Sequence, residues 1–272
     1  MINFVPEKKE RENMKKEMKR MRRMMMILVS LFLTAALSAA NPPRKVLVLA
    51  ERGGLHEGFT ATGLKWLESK SKEMNLELTV LNSAKEIAQG ELKKYQLVLQ
   101  LNYPPYAWSE ASMKDMQQYI DKGQGGYIGF HHASLLGEFD GYPMWGWFSD
   151  FMGKIRYKNY IAEKSDGTVQ VEDREHPVMQ QVPGTFVVKD DEWYTYETNP
   201  RPNVHVLAHV DECSYTLSTD IKMGDHPVIW INPAKKARNV YFQFGHSKLL
   251  YESPAFLTLF ENAIRWTLGD TK

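Results

Sequence analysis

Cysteine is all but missing. Cys213 stands alone in 272 residues, so no internal disulfide can form and no paired C-x-x-C can hold zinc. There is no H-E-x-x-H, no Walker loop and no G-x-S-x-G, which removes the familiar metalloprotease, nucleotide-binding and serine-hydrolase readings. Charge of one sign is scarce as well. The formal net charge is +1, but residues 1–23 hold nine Lys/Arg against four Asp/Glu, leaving 25 basic and 29 acidic groups in residues 41–272. That mildly acidic body lacks the dense basic face on which nucleic acid binding depends. Internal repeats and low-complexity linkers are absent, and with 43% hydrophobic residues the chain can bury one large core.

Residues 1–40 read as a leader. A basic segment ends in Arg22-Arg23, the uncharged run Met24 to Ala36 follows, and Ser38-Ala39-Ala40 precede Asn41-Pro42-Pro43; this is the order of blocks in a secretory signal. Export to the periplasm or beyond, with a mature chain starting near Asn41, is the expectation. The residues ahead of about Met14 exceed what such a signal needs and read as an extended start. The uncharged run is shorter than the ~20 residues of a spanning helix, so no stable membrane span is expected after cleavage. The other reading is a basic amphipathic helix lying on a membrane surface.

Residues 41–272 read as a single α/β domain. Arg44 to Ala50, Leu76 to Leu81, Tyr95 to Leu101 and Gly125 to Phe130 are strand-length apolar or alternating runs. Helical spacing of Leu64, Trp66 and Leu67, and of Met113, Met116, Tyr119 and Ile120, falls between them. Four strands separated by helices of ordinary length imply right-handed crossovers and a doubly wound, mostly parallel sheet with helices on both faces. Val169 to Glu172, Thr185 to Lys189 and Val204 to Val210 read as an antiparallel extension. Pro227 to Ile231 and Asn239 to Phe244 return as buried strands, and Pro254 to Leu268 is a closing helix.

Five places could carry chemistry, each at a predicted strand end, where ligands bind in open α/β sheets. His56-Glu57 follow the first strand as an imidazole beside a carboxylate, although Glu57 equally suits the first turn of a helix. His131-His132 end the central strand; adjacent residues in a sharp turn diverge, so one can face the crevice while the other bonds the scaffold. Asp190-Asp191-Glu192-Trp193-Tyr194 is either a solvated acidic turn or a sugar grip, with Trp193 and Tyr194 stacking on ring faces and Glu192 taking hydroxyls. Gly245-His246 end the last strand. Trp145-Gly146-Trp147-Phe148 is either a core plug or the apolar wall of a pocket. His176 and His226 precede prolines and suit turns or strand edges; His205 and His209 share one strand face.

The segments RKVLVLAERGGLHE, GGYIGFHHAS, WGWF, HPVMQQVP with DDEWY, and HPVIW with ARNVYFQFGHS together resemble the ThuA-like (trehalose utilisation) family. The resemblance covers about residues 44–268. It implies a flavodoxin-like fold of the class I glutamine amidotransferase type. Where those enzymes carry a nucleophilic cysteine in a G-x-C-x-G elbow, this chain has Gly129-Phe130-His131-His132-Ala133. The histidine resembling His246 is followed by Ser247-Lys248 instead of an acid. The scaffold is thus expected without the thiol triad. The family is associated with carbohydrate use, notably 3-keto sugars, beside sugar oxidoreductases as pathway neighbours. A sugar or keto-sugar is therefore the expected ligand, with His131, His132, Glu192 and His246 as acid/base residues and His56, Glu57, Trp145, Trp193 and Tyr194 as contacts. No cofactor motif is present. His56, His132, Glu192 and His246 are expected to converge, and that set suits either a divalent metal or a metal-free acid/base cluster.

Overall fold

A computed structural model describes residues 8–36, 42–106 and 108–271, with side chains in the first helix described for residues 12–26. Residues 1–43 and 44–272 form separate compact units. The first holds helix α1 (Lys8–Ala36). The small residues of the expected cleavage site lie outside the described residues. No described helix is long and apolar enough to cross a membrane.

In the second unit the strands are β1 (Arg44–Ala50), β2 (Leu76–Leu81), β3 (Leu97–Leu101), β4 (Gly126–Phe130), β5 (Tyr157–Tyr160), β6 (Ser165–Val171), β7 (Thr185–Asp191), β8 (Tyr194–Tyr196), β9 (His205–Asp211), β10 (Pro227–Ile231) and β11 (Asn239–Phe242). Nine of them form one sheet in the order β2-β1-β3-β4-β11-β10-β9-β6-β7, and β5 pairs with β8 apart from it. The run from β2 to β11 is parallel, and everything beyond β11 is antiparallel. The helices are α2 (Glu57–Ser71), α3 (Glu110–Lys122), α4 (Gly146–Phe151) and α5 (Pro254–Thr267).

Both faces are covered over residues 46–50 of β1, β3 and β4, which is why these runs are almost wholly apolar, whereas edge strand β2 alternates. On β1, Val46 and Val48 point to a core shared with Phe59 of α2 and Phe256 and Phe260 of α5. Leu47 and Leu49 point to the opposite core, with Met116 and Tyr119 of α3 and Phe148 and Phe151 of α4. Helix α3 starts where the Ser109 hydroxyl accepts from Ser112 N–H and stops at left-handed Gly123, so both ends are capped.

One crossover departs from the sequence reading. Between β2 and β3 there is no ordinary helix, only the 3₁₀ turns Ala84–Glu86 and Leu92–Lys94. Each is too short to bury a stripe. They dock instead by single residues, with Ala84, Ile87 and Leu92 buried and Leu92 N–H donating to Asp115 of α3 at 2.9 Å.

Candidate active site

Three parallel strands and one antiparallel strand end at the same place. After β1, Glu51 opens a loop that leads to His56, the residue preceding α2. After β4 the chain turns at once: His131 has φ +41° and begins a 3₁₀ turn, His131–Ser134. Gly129 permits that turn, because a Cβ there would lie 3.1 Å from the Ala133 methyl and 2.4 Å from the Tyr127 hydroxyl. Beyond β11 the chain reaches Gly245 (φ +149°), whose added Cβ would meet that of His131 at 3.2 Å, and then His246. Glu192 follows β7 directly.

Asp191 fastens two of these ends together. Its Oδ1 accepts from Glu192 N–H at 3.0 Å, Gly245 N–H at 3.2 Å and His246 N–H at 3.3 Å, and its Oδ2 accepts from Ser247 N–H at 3.1 Å. The donors require the ionised form while complete burial opposes it, and the carboxyl is pushed up to about 6. Asn102, at the end of β3, donates from Nδ2 to Gly245 O at 2.7 Å and holds the same turn from the other side.

Four imidazoles meet above these ends. The His56 ring centroid lies 3.8 Å from that of His132, 4.4 Å from His246 and 5.1 Å from His131. His131 is fully buried, with Nδ1 2.8 Å from Gln243 O and Nε2 3.2 Å from Glu192 Oε2, and its ring stacks on Tyr194 at 4.2 Å. His132 Nδ1 lies 2.7 Å from Glu51 Oε2. The two atoms are close without hydrogen-bond alignment, since His132 Nδ1 and Glu51 Oε2 are both buried without a hydrogen-bond partner, as are His56 Nε2 and His246 Nδ1. Possible ligand atoms of His56, Glu192 and His246 all lie within 4.8 Å of one another, as do those of His56, His131 and His132.

Burial and neighbouring charges disfavour the protonated form of His56, His131 and His246. Desolvation, followed by the charges of His132, His131 and His246, holds His56 far below the ordinary imidazole range. His131 and His246 are lowered first by burial, and burial raises the Glu192 carboxyl against the pull of His246. The Gln243 carbonyl can only accept, so His131 Nδ1 carries the proton and Nε2 turns its lone pair toward the Glu192 oxygen. That pair needs a proton or another cation between its two acceptors.

The cluster thus contains His56, His131, His132, Glu192 and His246, although His132 groups with His56 and His131 rather than with Glu192 and His246. His131 is the scaffold-bonded member of its pair, and His132 is the one with some exposure. Three expected contacts lie elsewhere. The Glu57 carboxylate is taken by Gly53 N–H and Arg52, as suits the first turn of α2. Trp145 packs on Trp108, Trp147 and Phe148, so the WGWF segment is a core plug. Trp193 is completely buried and its Nε1 donates to Ser165 O at 2.9 Å. Tyr194 does reach the site, but as a buried backing for His131.

The sequence reading missed Glu51, whose signal was its place directly after a buried parallel strand, and the tyrosines Tyr157 and Tyr160. These sit 5.2 and 6.4 Å from Tyr194, on the strand paired with β8. It also missed Lys164, 3.7 Å from Asp190. Lys164, Asp190, His246, Lys248 and Leu55 line a cavity of about 340 Å³, within the ~300–1,000 Å³ of small-molecule pockets. Larger hollows, about 540 Å³ along Asn13–Arg23 and about 370 Å³ against Val187 and Pro254, contain no imidazole. Cys213 is exposed, in the turn after β9.

Comparison with known proteins agrees with this architecture. A family model described as trehalose utilisation (ThuA) matches residues 45–267. A ThuA-like protein from Bacteroides uniformis is similar in structure, with 26% identity and a TM-score of 0.75 over 86% of this chain and 96% of its own. Another from Parabacteroides merdae has 13% identity and a TM-score of 0.58 over 85% and 91%. The carbohydrate deacetylase Agd3, at 10% identity and a TM-score of 0.50 over 80% of this chain and 32% of its own, shares the fold alone. No curated protein sequence matches.

Proposed function

The chain belongs to the ThuA (trehalose utilisation) family, a family of carbohydrate utilisation, and from that premise we propose that its pocket performs acid/base chemistry on a 3-keto sugar or related glycoside. The observation that carries this is the 2.7 Å contact between His132 and Glu51 beside the buried imidazoles of His56, His131 and His246. A histidine beside a carboxylate acts as a general base once a small rotation brings the two into hydrogen-bond alignment. A ketone at C3 acidifies the C2 hydrogen. His132 takes that proton, the C2–H electrons form the enolate with the C3 carbonyl, and the enolate then expels the glycosidic oxygen from C1. The leaving oxygen collects a proton, giving an alcohol and an unsaturated keto-sugar. His56, Glu192 and His246 form the wall that faces the oxygens, and Tyr157 and Tyr160 offer ring faces to the sugar.

The substrate's ketone must be made by an oxidoreductase acting on a C3 hydroxyl, which places such an enzyme upstream. Glutamine hydrolysis is not part of this reading, because His131 occupies the elbow and Cys213 lies in another turn. The leader supports export of the protein, and sequencing the N-terminus of fractionated protein tests that part: an uncleaved chain in the cytoplasm overturns it.

The second reading, a non-catalytic carbohydrate-binding module, rests on the rings of Tyr157 and Tyr160 near Tyr194, which backs the imidazole cluster. Incubating the full-length chain with a panel of 3-keto glycosides and their parent sugars, read by mass spectrometry, separates the two. Released alcohol that disappears in His132→Ala supports the enzyme. Binding without any product, unchanged in His132→Ala, supports the module.

A further inference from the structure

We propose that His56, Glu192 and His246 form a three-ligand site for a divalent first-row transition metal. This names what the oxygen-facing wall holds. It rests on the placement of that wall and not on the identity of the sugar.

Geometry is the first argument. The three residues come from separate strand ends, yet offer ligand atoms within 4.8 Å of one another, a spread that metal bonds of ~2.0–2.2 Å can gather with small side-chain movements. His131 Nε2 lies 3.2 Å from Glu192 Oε2 and backs that carboxylate from outside the three-residue group. Unsatisfied atoms are the second. His56 Nε2 and His246 Nδ1 are buried without a hydrogen-bond partner, and a buried ring nitrogen left unpaired costs about 1–3 kcal/mol. A single proton shared between His131 and Glu192 answers their mutual repulsion but leaves both of those nitrogens unsatisfied. One cation held by His56, Glu192 and His246 answers both.

The surroundings are also those of a metal site. His131 donates Nδ1–H to the Gln243 carbonyl at 2.8 Å, the type of outer bond that orients a ligating imidazole. Asp191 pins the backbone of both Glu192 and His246. Two imidazoles and a carboxylate suit zinc, cobalt, iron or manganese more than magnesium or calcium, which prefer all-oxygen cages. Three protein ligands leave a position for the substrate ketone, where the ion acts as a Lewis acid and the His132–Glu51 pair stays free to move the proton.

The test uses the full-length chain, stripped with chelator and dialysed, then titrated with Zn²⁺ and with Co²⁺ by calorimetry and visible absorption. One equivalent should bind, with the Co²⁺ bands of a mixed nitrogen and oxygen site. Glu192→Gln, which keeps the shape, and His246→Ala should each weaken binding at least ~100-fold, while His205→Ala on the surface binds as wild type. Should His246→Ala fail to fold, Glu192→Gln decides alone. Absence of saturable binding at one equivalent, or equal binding in Glu192→Gln, overturns the proposal. Binding of one equivalent without turnover of any sugar leaves the metal standing and removes the sugar chemistry. Full turnover by chelator-treated, metal-free protein does the reverse.

Discussion

In the antiparallel half, His205 meets Asp173 at 2.8 Å and His209 meets Glu172 at 2.7 Å. The buried His226 has Glu212 at 2.8 Å on one nitrogen and Tyr194 O at 2.9 Å on the other. In the strand-end cluster, His56, His132 and His246 each keep a buried nitrogen with no hydrogen-bond partner. The same side chain is thus spent on structure in one region and held in reserve in the other. Unsatisfied buried atoms cost about 1–3 kcal/mol each, and although single ones occur at Thr60, Trp230 and Tyr251 as well, three on neighbouring imidazoles beside Glu51 Oε2 single out this region as the functional one.

The largest effect should separate the two regions outright. His132→Ala is expected to lower turnover of a responsive 3-keto glycoside by ~10²–10⁴-fold, with little change in melting temperature, and His209→Ala to leave turnover alone. Equal rates in wild type and His132→Ala would erase the distinction. Next comes Asp191→Asn, which replaces an acceptor of four N–H groups with an amide that can oppose them. Loss of about 3 kcal/mol, or a melting point lower by ~6–12 °C, is expected, with His246 displaced and turnover reduced. Unaltered melting would show that the two strand ends hold without their pin.

Acid sharpens the comparison at His176, outside the pocket. Burial lowers its pKa from 6.5 to about 4, against Asp173, which raises it, and with His205 and Arg238, which lower it further. Its neutral Nδ1 accepts from Val178 N–H at 3.3 Å. The folded pKa lies below the unfolded one, so the unfolded chain binds more protons between them. The stability is complete above pH 6.5 and drains away as pH falls toward 4, by about 1–2 kcal/mol after allowance for partial exposure. His176→Asn should flatten that part of the melting-versus-pH curve; an unchanged slope would assign it to other groups.

The smallest effect belongs to Arg201, which forks onto Glu172 and Asp225 and holds both carboxyls below their ordinary values. Their folded pKa values are depressed, so this stability is present near neutrality and lost as pH falls through them. The groups are exposed, and Arg201→Met should cost less than ~1 kcal/mol at pH 7. The gap from wild type should close in acid and shrink in high salt. A gap that persists at pH 3 would point to packing by the arginine stem.

The parallel strands were legible because a strand covered on both faces must be apolar throughout, as β1 and β4 are. The antiparallel extension was legible from alternation. The β2 to β3 crossover was not, because its buried residues, Ala84, Ile87 and Leu92, serve turns too short to show a period. In the pocket, the imidazoles could be placed by their positions after strands, but aromatic partners could not. Trp145 and Trp193 read as ring faces for a sugar, yet large rings are as welcome in a core: Trp193 is completely buried, and Trp145, half-buried, packs against the core. Tyr157 and Tyr160 reach Tyr194 only through the pairing of β5 with β8, which spans too much chain to be visible in local pattern. Glu57 and Glu51 flank one loop, and backbone geometry alone decides which carboxylate meets an imidazole.

The turn at His131 has a consequence for how this scaffold can change. A non-glycine residue at φ +41° is held there by its surroundings: Gly129 clears the space, Gln243 and Glu192 grip the ring, and Tyr194 lies flat beneath it. The backbone therefore acts as a socket whose shape is set before its occupant is chosen. A chain built this way can exchange one reactive group for another while every strand stays in register, and its chemistry can diverge much faster than its architecture.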